Sequence, residues 1–312
     1  MLESRFSFIF SNNSLEGTYS YSNMFTLRPA YEYEPKPPFL MAKHPHVLEF
    51  YPKCFDEEYE SKEWYDQQKI ENKIVFELIN LLSTITNFRF YHLSNKGSWF
   101  LPYNHNERIS VWGQESYFPK KIGESKRVLK KVDIIPYNEY YNNYAQRLGT
   151  GSINVPDIIE SILNKYFSFG SEEKEVFQRV CYLFSTALAL KDQRVSHTFS
   201  MTSLVSCIET LVAFQHRNEK VEKCLECGQL RFSVIRKFKD FMIKYGSKQA
   251  EFKKYVDKIY AFRSKALHEG ELMTTDKSGS LELMDSVEIE HFIRTVRICV
   301  INWLIRQKSL IV

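Results

Sequence analysis

From about residue 155 to the C-terminus, apolar residues recur at three- and four-residue spacing in one segment after another, and nothing argues for a strand. That period puts a stripe of apolar side chains along one side of a helix, so half of this chain must bury several stripes against one another. Pro156 suits the first position of a helix, with Ile158, Ile159, Ile162 and Leu163 forming an apolar face up to Phe167. Gly170-Ser171-Glu172-Glu173 is a second helix entry, with Ser171 as N-cap and two acids in the first turn. The helix that follows carries Val176, Phe177, Val180, Leu183, Phe184, Ala187 and Leu188. A third, from about His197 to Phe214, carries Leu204, Val205, Ile208, Leu211 and Val212. A fourth spans about Phe232 to Tyr245, with Phe232, Ile235, Phe238, Phe241 and Met242 as its apolar side. Gly246-Ser247 separates it from a fifth at about 249–268. The last runs from Val287 to Arg306, with Val287, Phe292, Val296, Val300, Trp303 and Leu304. These spacings predict an all-α helical bundle over residues 151–312.

The first 150 residues read differently. Arg5 to Ser11 is a short aromatic β run, Thr18 to Leu27 has the β-branched and aromatic content of a second strand, and His46 to Tyr51 is a third. Pro35-Lys36-Pro37-Pro38 breaks any regular element between them. Residues 56–90 turn helical, with Ile70, Ile74, Phe76, Leu78, Ile79, Leu81 and Leu82 as the apolar stripe. Strand and loop character returns over 88–135, in Phe88 to Tyr91, Ser98 to Leu101 and Ile109 to Trp112. An α+β domain over residues 1–150 is expected, and its role is not legible. His44 and His46 flank Pro45, but no acid or cysteine stands near them at ligand spacing, so they read as ordinary surface histidines.

Several classes of function are excluded. The chain contains no G-x-x-x-x-G-K-[ST] loop, no G-x-G-x-x-G, no H-E-x-x-H and no G-x-S-x-G, and 11 glycines leave little room for a phosphate-cradling loop. No apolar run reaches the length of a membrane span, and Met1 to Arg5 does not begin a secretion signal. Six scattered cysteines do not form the framework of a secreted disulfide protein, so a reducing, cytoplasmic location without membrane contact is expected. The net charge of +4 is too small to imply nucleic acid, but its distribution is uneven. Arg217 to Lys265 holds 14 Lys and Arg against 6 Asp and Glu, whereas Glu269 to Glu290 holds one Lys against seven acids. A solvated helix face accounts for such runs; so does a flank that attracts phosphates.

Between these two charge runs lies Lys258-Ile259-Tyr260-Ala261-Phe262-Arg263-Ser264-Lys265-Ala266-Leu267-His268-Glu269-Gly270. It reads as the end of an amphipathic helix, with Ile259, Phe262, Ala266 and Leu267 at helical spacing and Gly270 as the stop. Arg263 is a permanent cation whose fork of donors suits a phosphate. His268 is the side chain best able to move a proton near neutral pH. Together they form a minimal kit for cleaving RNA, because the substrate's own 2′-hydroxyl serves as nucleophile and no metal or cofactor is required. On an ideal helix five residues apart, the two side chains diverge by about 140°. They meet within one chain only if His268 is already leaving the helix. The structural alternative is an arginine salt-bridged to a helix acid and a histidine that caps the helix.

The wording Ile-Tyr-x-x-Arg-Ser-Lys-x-x-His-x-Gly after a basic, aromatic-rich helical region resembles the HEPN superfamily, and within it the Apea-like HEPN domains. The resemblance covers about residues 155–312. It implies an all-helical bundle and, at the matching positions Arg263 and His268, a metal-independent endoribonuclease. It further implies a homodimer in which both residues of both protomers line one cleft, in a setting such as a toxin or an antiviral defence system. The N-terminal domain would then sense a trigger or a regulatory protein. In the family the residue after the arginine is usually Asn, Asp or His, and here it is Ser264. Lys265 is either a further phosphate contact or a solvated lysine. Glu209, alone among apolar residues in Cys207 to Leu211, needs a cationic partner if its helix is buried, and Arg263 is the candidate. Cys224 and Cys227 form a C-x-x-C before Gly228, two of the four ligands that a structural zinc takes, with His216 a candidate third. Two rival readings keep the helical fold. One is a non-catalytic HEPN-like module that binds RNA or protein; the other is a dimeric scaffold whose N-terminal half does the binding.

Overall fold

The computed structural model describes residues 3–30, 44–92, 130–142, 151–219, 234–280 and 282–306. The chain divides into two compact units, Met1–Ile158 and Ile159–Val312. The first is built on an antiparallel sheet, and the second is mostly helical. Among the described residues, no helix is long and apolar enough to cross a membrane.

In the first unit, β1 (Arg5–Ser11), β2 (Tyr19–Tyr21), β3 (Phe25–Pro29), β4 (His44–Phe50) and β5 (Tyr91–His92) form one sheet in the order β2-β3-β4-β1-β5. All its pairings are antiparallel. The stretch expected to be a single strand over Thr18 to Leu27 is the hairpin β2–β3. Ser22 at the turn takes the left-handed conformation, with φ of 48°, and Tyr21 pairs with Phe25 across the strands. Ser22-Asn23 is the turn signal between two aromatic runs. The unit's long helix, α1 (Trp64–Ile85), buries Ile74, Val75, Leu78, Ile79, Leu81, Leu82 and Ile85. Phe76 is exposed instead of joining that stripe. It stands two residues from Ile74, about 200° around the helix. The end of α1 is held by a short helix, α2 (Tyr137–Tyr140). The Tyr140 hydroxyl accepts the Asn87 N–H at 2.9 Å, and the next residue, Tyr141, donates to the Ile85 carbonyl. Such bonds give Tyr140 and Tyr141 a structural use: apolar ring inside, hydroxyl on a backbone group.

Residues 151–157 belong to this first unit. Ile153 and Val155 donate their N–H groups to Ser14 and Asp133 at 2.7 and 3.0 Å, and β6 (Ile134–Ile135) pairs in parallel with β7 (Val155–Pro156). Pro156 is therefore a strand residue and not the first position of a helix. Lacking an N–H, it loses nothing at the edge of a two-stranded pair. His46 is another correction. It is buried in β4 and not a surface residue, with its Nε2 3.0 Å from the Ser11 hydroxyl.

The second unit starts with α3 (Ile159–Phe167), then α4 (Ser171–Asp192) and α5 (His197–Gln215). Gly170, not Ser171, is the N-cap of α4, and no side chain caps it. Helices α4 and α5 pack closely through small residues: Ser200, Ser203 and Cys207 donate to the carbonyls of Ala187, Leu183 and Val180. The remaining elements are α6 (Val234–Tyr245), α7 (Ala250–His268), α8 (Thr274–Ser278) and α9 (Leu283–Arg306). Trp303 of α9 is fully buried and stacks on Phe177, with Phe169 and Phe214 at its edges. Three residues placed on apolar faces by spacing are instead exposed: Ile235, Leu267 and Val287. All lie near helix ends, where none of the described helices covers them. Phe232 lies outside the described residues.

Candidate functional site

Helix α7 carries Arg263 and His268, and helix α5 lies against it. Arg263 sits one turn beyond the buried Ile259 and Tyr260 and reaches Glu209 of α5. Its Nη2 donates to Glu209 Oε2 at 2.8 Å, and both side chains are about one-fifth exposed. The Tyr260 hydroxyl donates to the other carboxylate oxygen of Glu209 at 3.3 Å, and the Arg263 guanidinium lies 5.8 Å from the Tyr260 ring centre. Burial raises the Tyr260 hydroxyl above its ordinary value, and the Glu209 charge adds to that rise. It therefore stays a donor near neutral pH. Glu209 thus receives one bond from a cation and one from a hydroxyl, and a charged group on a mostly buried helix is satisfied.

One donor of Arg263 is not used. Its Nε is buried and has no hydrogen-bond partner among the described residues. The guanidinium is consequently aimed by the edge that meets Glu209; the buried Nε does not face solvent, and one-fifth of the side chain does. Tyr260 was not singled out from the sequence, although its position three residues before Arg263 places it on the same helix face.

His268 is the last residue of α7 and is exposed. Glu269 is the C-cap, its N–H reaching the Lys265 carbonyl at 2.8 Å, and Gly270 follows with φ of 71°. Glycine takes that left-handed conformation without the strain a Cβ brings, which is why the helix stops there. His268 has not left the helix, so the divergence of about 140° from Arg263 stands. A single protomer turns Arg263 toward α5 and leaves His268 at the tip. Ser264 is half-buried beside Arg263, and Lys265 is exposed with Nζ 3.6 Å from Glu271. The acidic run after the motif therefore supplies Lys265 with a partner.

Cys224 and Cys227 lie outside the described residues. His216, their suggested companion, follows α5 as its C-cap and pairs with Glu219, which also takes Lys237 at 2.7 Å. Among the described residues no cluster of three or more metal-ligating side chains is present. Comparison of the chain with family models, with curated proteins and with solved structures finds no match.

Proposed function

We propose that this chain is a metal-independent endoribonuclease of the HEPN type, with Arg263 and His268 as its catalytic residues. The observation that carries this reading is the setting of Arg263. It is a mostly buried guanidinium, oriented by Glu209 at 2.8 Å, with Nε unpartnered and a proton-transfer group five residues on at the exposed end of the same helix. Arg263 then binds the scissile phosphate through the one-fifth of its side chain that stays exposed and offsets the charge that develops there. The substrate's 2′-oxygen attacks phosphorus, the P–O5′ bond breaks, and the products are a 2′,3′-cyclic phosphate and a 5′-hydroxyl. His268 takes the proton from the 2′-hydroxyl or supplies one to the departing 5′-oxygen.

Since one protomer separates the two residues, the reading includes a homodimer in which Arg263 of one copy and His268 of the other face one phosphate. Exposed apolar residues support it. Tyr255 lies 4.8 Å from His291, and Lys258 is 2.7 Å from Glu288, so α7 and α9 run antiparallel. The C-terminal end of α7 and the N-terminal end of α9 therefore share one end of the unit. There Leu267 is 49%, Leu283 74%, Met284 78% and Val287 57% exposed, an apolar cluster suited to a second copy. A role in a toxin or antiviral-defence system, with the N-terminal unit receiving the trigger, follows from the family resemblance.

The test is cleavage of total RNA in EDTA by wild type and by His268→Ala. Cleavage by wild type alone, leaving 2′,3′-cyclic phosphate ends, is the expected result. A second reading, a non-catalytic HEPN-like module that binds RNA or protein, is favoured by Ser264 and by the engagement of Arg263 with Glu209. Salt-dependent RNA retention in a gel, with no cleavage by full-length protein or by residues 155–312, would select it.

A further inference from the structure

Arg263 and His268 occupy the C-terminal half of α7. Near the start of that helix, the C-terminal turns of α6 and α9 meet around a groove of about 570 Å3, lined by Asp240, Ile243, Lys244, Gly246, Lys248 and Arg306. Its walls are fixed by main-chain contacts. Asn302 Nδ2 donates to the Tyr245 carbonyl at 2.7 Å, and Arg306 Nη1 donates to the Lys244 carbonyl at 3.1 Å. Gly246 lets the chain turn tightly there, since a Cβ would lie 2.7 Å from both the Met242 carbonyl oxygen and the Phe252 ring.

The charge of the groove is unbalanced. Its single acid, Asp240, faces Arg236 at 3.8 Å. Among the described residues, Lys244, Lys248 and Arg306 form no ion pair, whereas Lys237, Lys239, Lys258 and Lys265 each have a carboxylate partner. Exposed Lys253 and Lys254 continue the positive charge onto the first turns of α7. Three cations converging on a concave surface without a carboxylate partner fit a ligand that brings repeated negative charge. Arg263 lies thirteen residue steps along the helix from Ala250, a rise of about 20 Å, or several nucleotides of strand.

We propose that this groove holds the phosphodiester backbone of single-stranded RNA several nucleotides away from the bond to be cut. The inference rests on the endoribonuclease reading and adds to it a phosphate-holding site remote from the chemistry. It is tested by binding of a labelled single-stranded RNA to full-length His268→Ala protein across a salt series. The same background then carries K244E/K248E, K244Q/K248Q, or K53E/K69E as a control of equal charge change in the other unit. Both groove variants are expected to weaken binding by at least about fivefold at moderate salt, and to flatten the log affinity–log salt slope by about 1.4 for two lost contacts. The control is expected to leave the slope unchanged. Equal weakening by groove and control variants would reduce the effect to net charge and overturn the groove. Unchanged binding by both groove variants would overturn it while leaving the nuclease reading in place. Absence of RNA binding by the His268→Ala parent at every salt concentration would remove the RNA reading itself, and the groove with it.

Discussion

At the scale of single residues, Glu209 is the side chain on which the site turns. Its pairing with Arg263 was legible because a lone carboxylate among apolar residues on a buried helix must find a cation or a donor. Glu209→Gln keeps the shape and removes the charge, so it leaves Arg263 with a weaker partner. A loss of about 1 kcal/mol is expected, the difference between a hydrogen bond to a charged group and one to a neutral group. Urea denaturation of the two proteins reads it out, and coincident curves together with unchanged RNA cleavage would show that the pair positions nothing. Two histidines make a separate prediction about acid. Burial pushes His46 down to about 3, with the neighbouring His44 charge adding to it, and burial alone pushes His92 down to about 4. Both folded values lie below the ordinary 6.5, so the unfolded chain binds more protons in between. Stability is then full above about pH 6.5 and falls as pH drops toward 4, by up to about 1.4 kcal/mol per pH unit for each histidine. Urea midpoints at pH 7.5, 6.0 and 5.0 should decline, and His46→Gln with His92→Gln should flatten the decline. Parallel slopes for wild type and the double variant would assign the acid sensitivity elsewhere.

At the scale of elements, the long amphipathic helices were the most legible part of the chain, because a 3.6-residue period is visible in any single sequence. Their ends were less so. The start of α5 is capped by its own Ser196 and by Asp276 from α8, eighty residues later in the chain. Ser196 Oγ accepts the Phe199 N–H at 3.1 Å, while Asp276 accepts the N–H groups of His197 and Thr198 at 2.9 and 2.8 Å and the Ser196 hydroxyl at 2.7 Å. Burial works against the Asp276 charge, but the bonds from Thr198, His197 and Ser196 outweigh it and hold the carboxyl below its ordinary value. A negative charge at the positive end of a helix adds to the effect. Asp276→Ala should cost about 1–2 kcal/mol, seen as a lower thermal midpoint, and a change within error would show that water replaces the carboxylate. Nothing local in the sequence announces this cap. The same holds for the hairpin at Ser22, where one residue in the left-handed region splits what the composition presents as a single strand.

At the scale of the whole molecule, the exposed apolar cluster at the ends of α7 and α9 carries a prediction about assembly. Met284→Lys with Val287→Lys changes two exposed side chains that the chain's own core does not use. Sedimentation should find wild type as a dimer and the variant as a monomer with an unaltered thermal midpoint, and RNA cleavage should fall in parallel with the dimer. A wild-type monomer at every accessible concentration would leave Arg263 and His268 without the second copy that the proposed site requires.

The sequence by itself determined the helical character of the C-terminal half, the strand content of the N-terminal half, and the residue types able to hold a phosphate and move a proton. Each is a local property, set by spacing along the chain or by the chemistry of one side chain. Only the tertiary structure decided that Tyr260 joins Arg263 on the Glu209 carboxylate while His268 stays exposed at the helix tip. It alone placed His46 inside the sheet and gathered Lys244, Lys248 and Arg306 around one groove. Those outcomes depend on which helices and strands become neighbours. Burial, pairing and the loss of solvent follow from contacts between residues far apart in the chain, and no single stretch contains them.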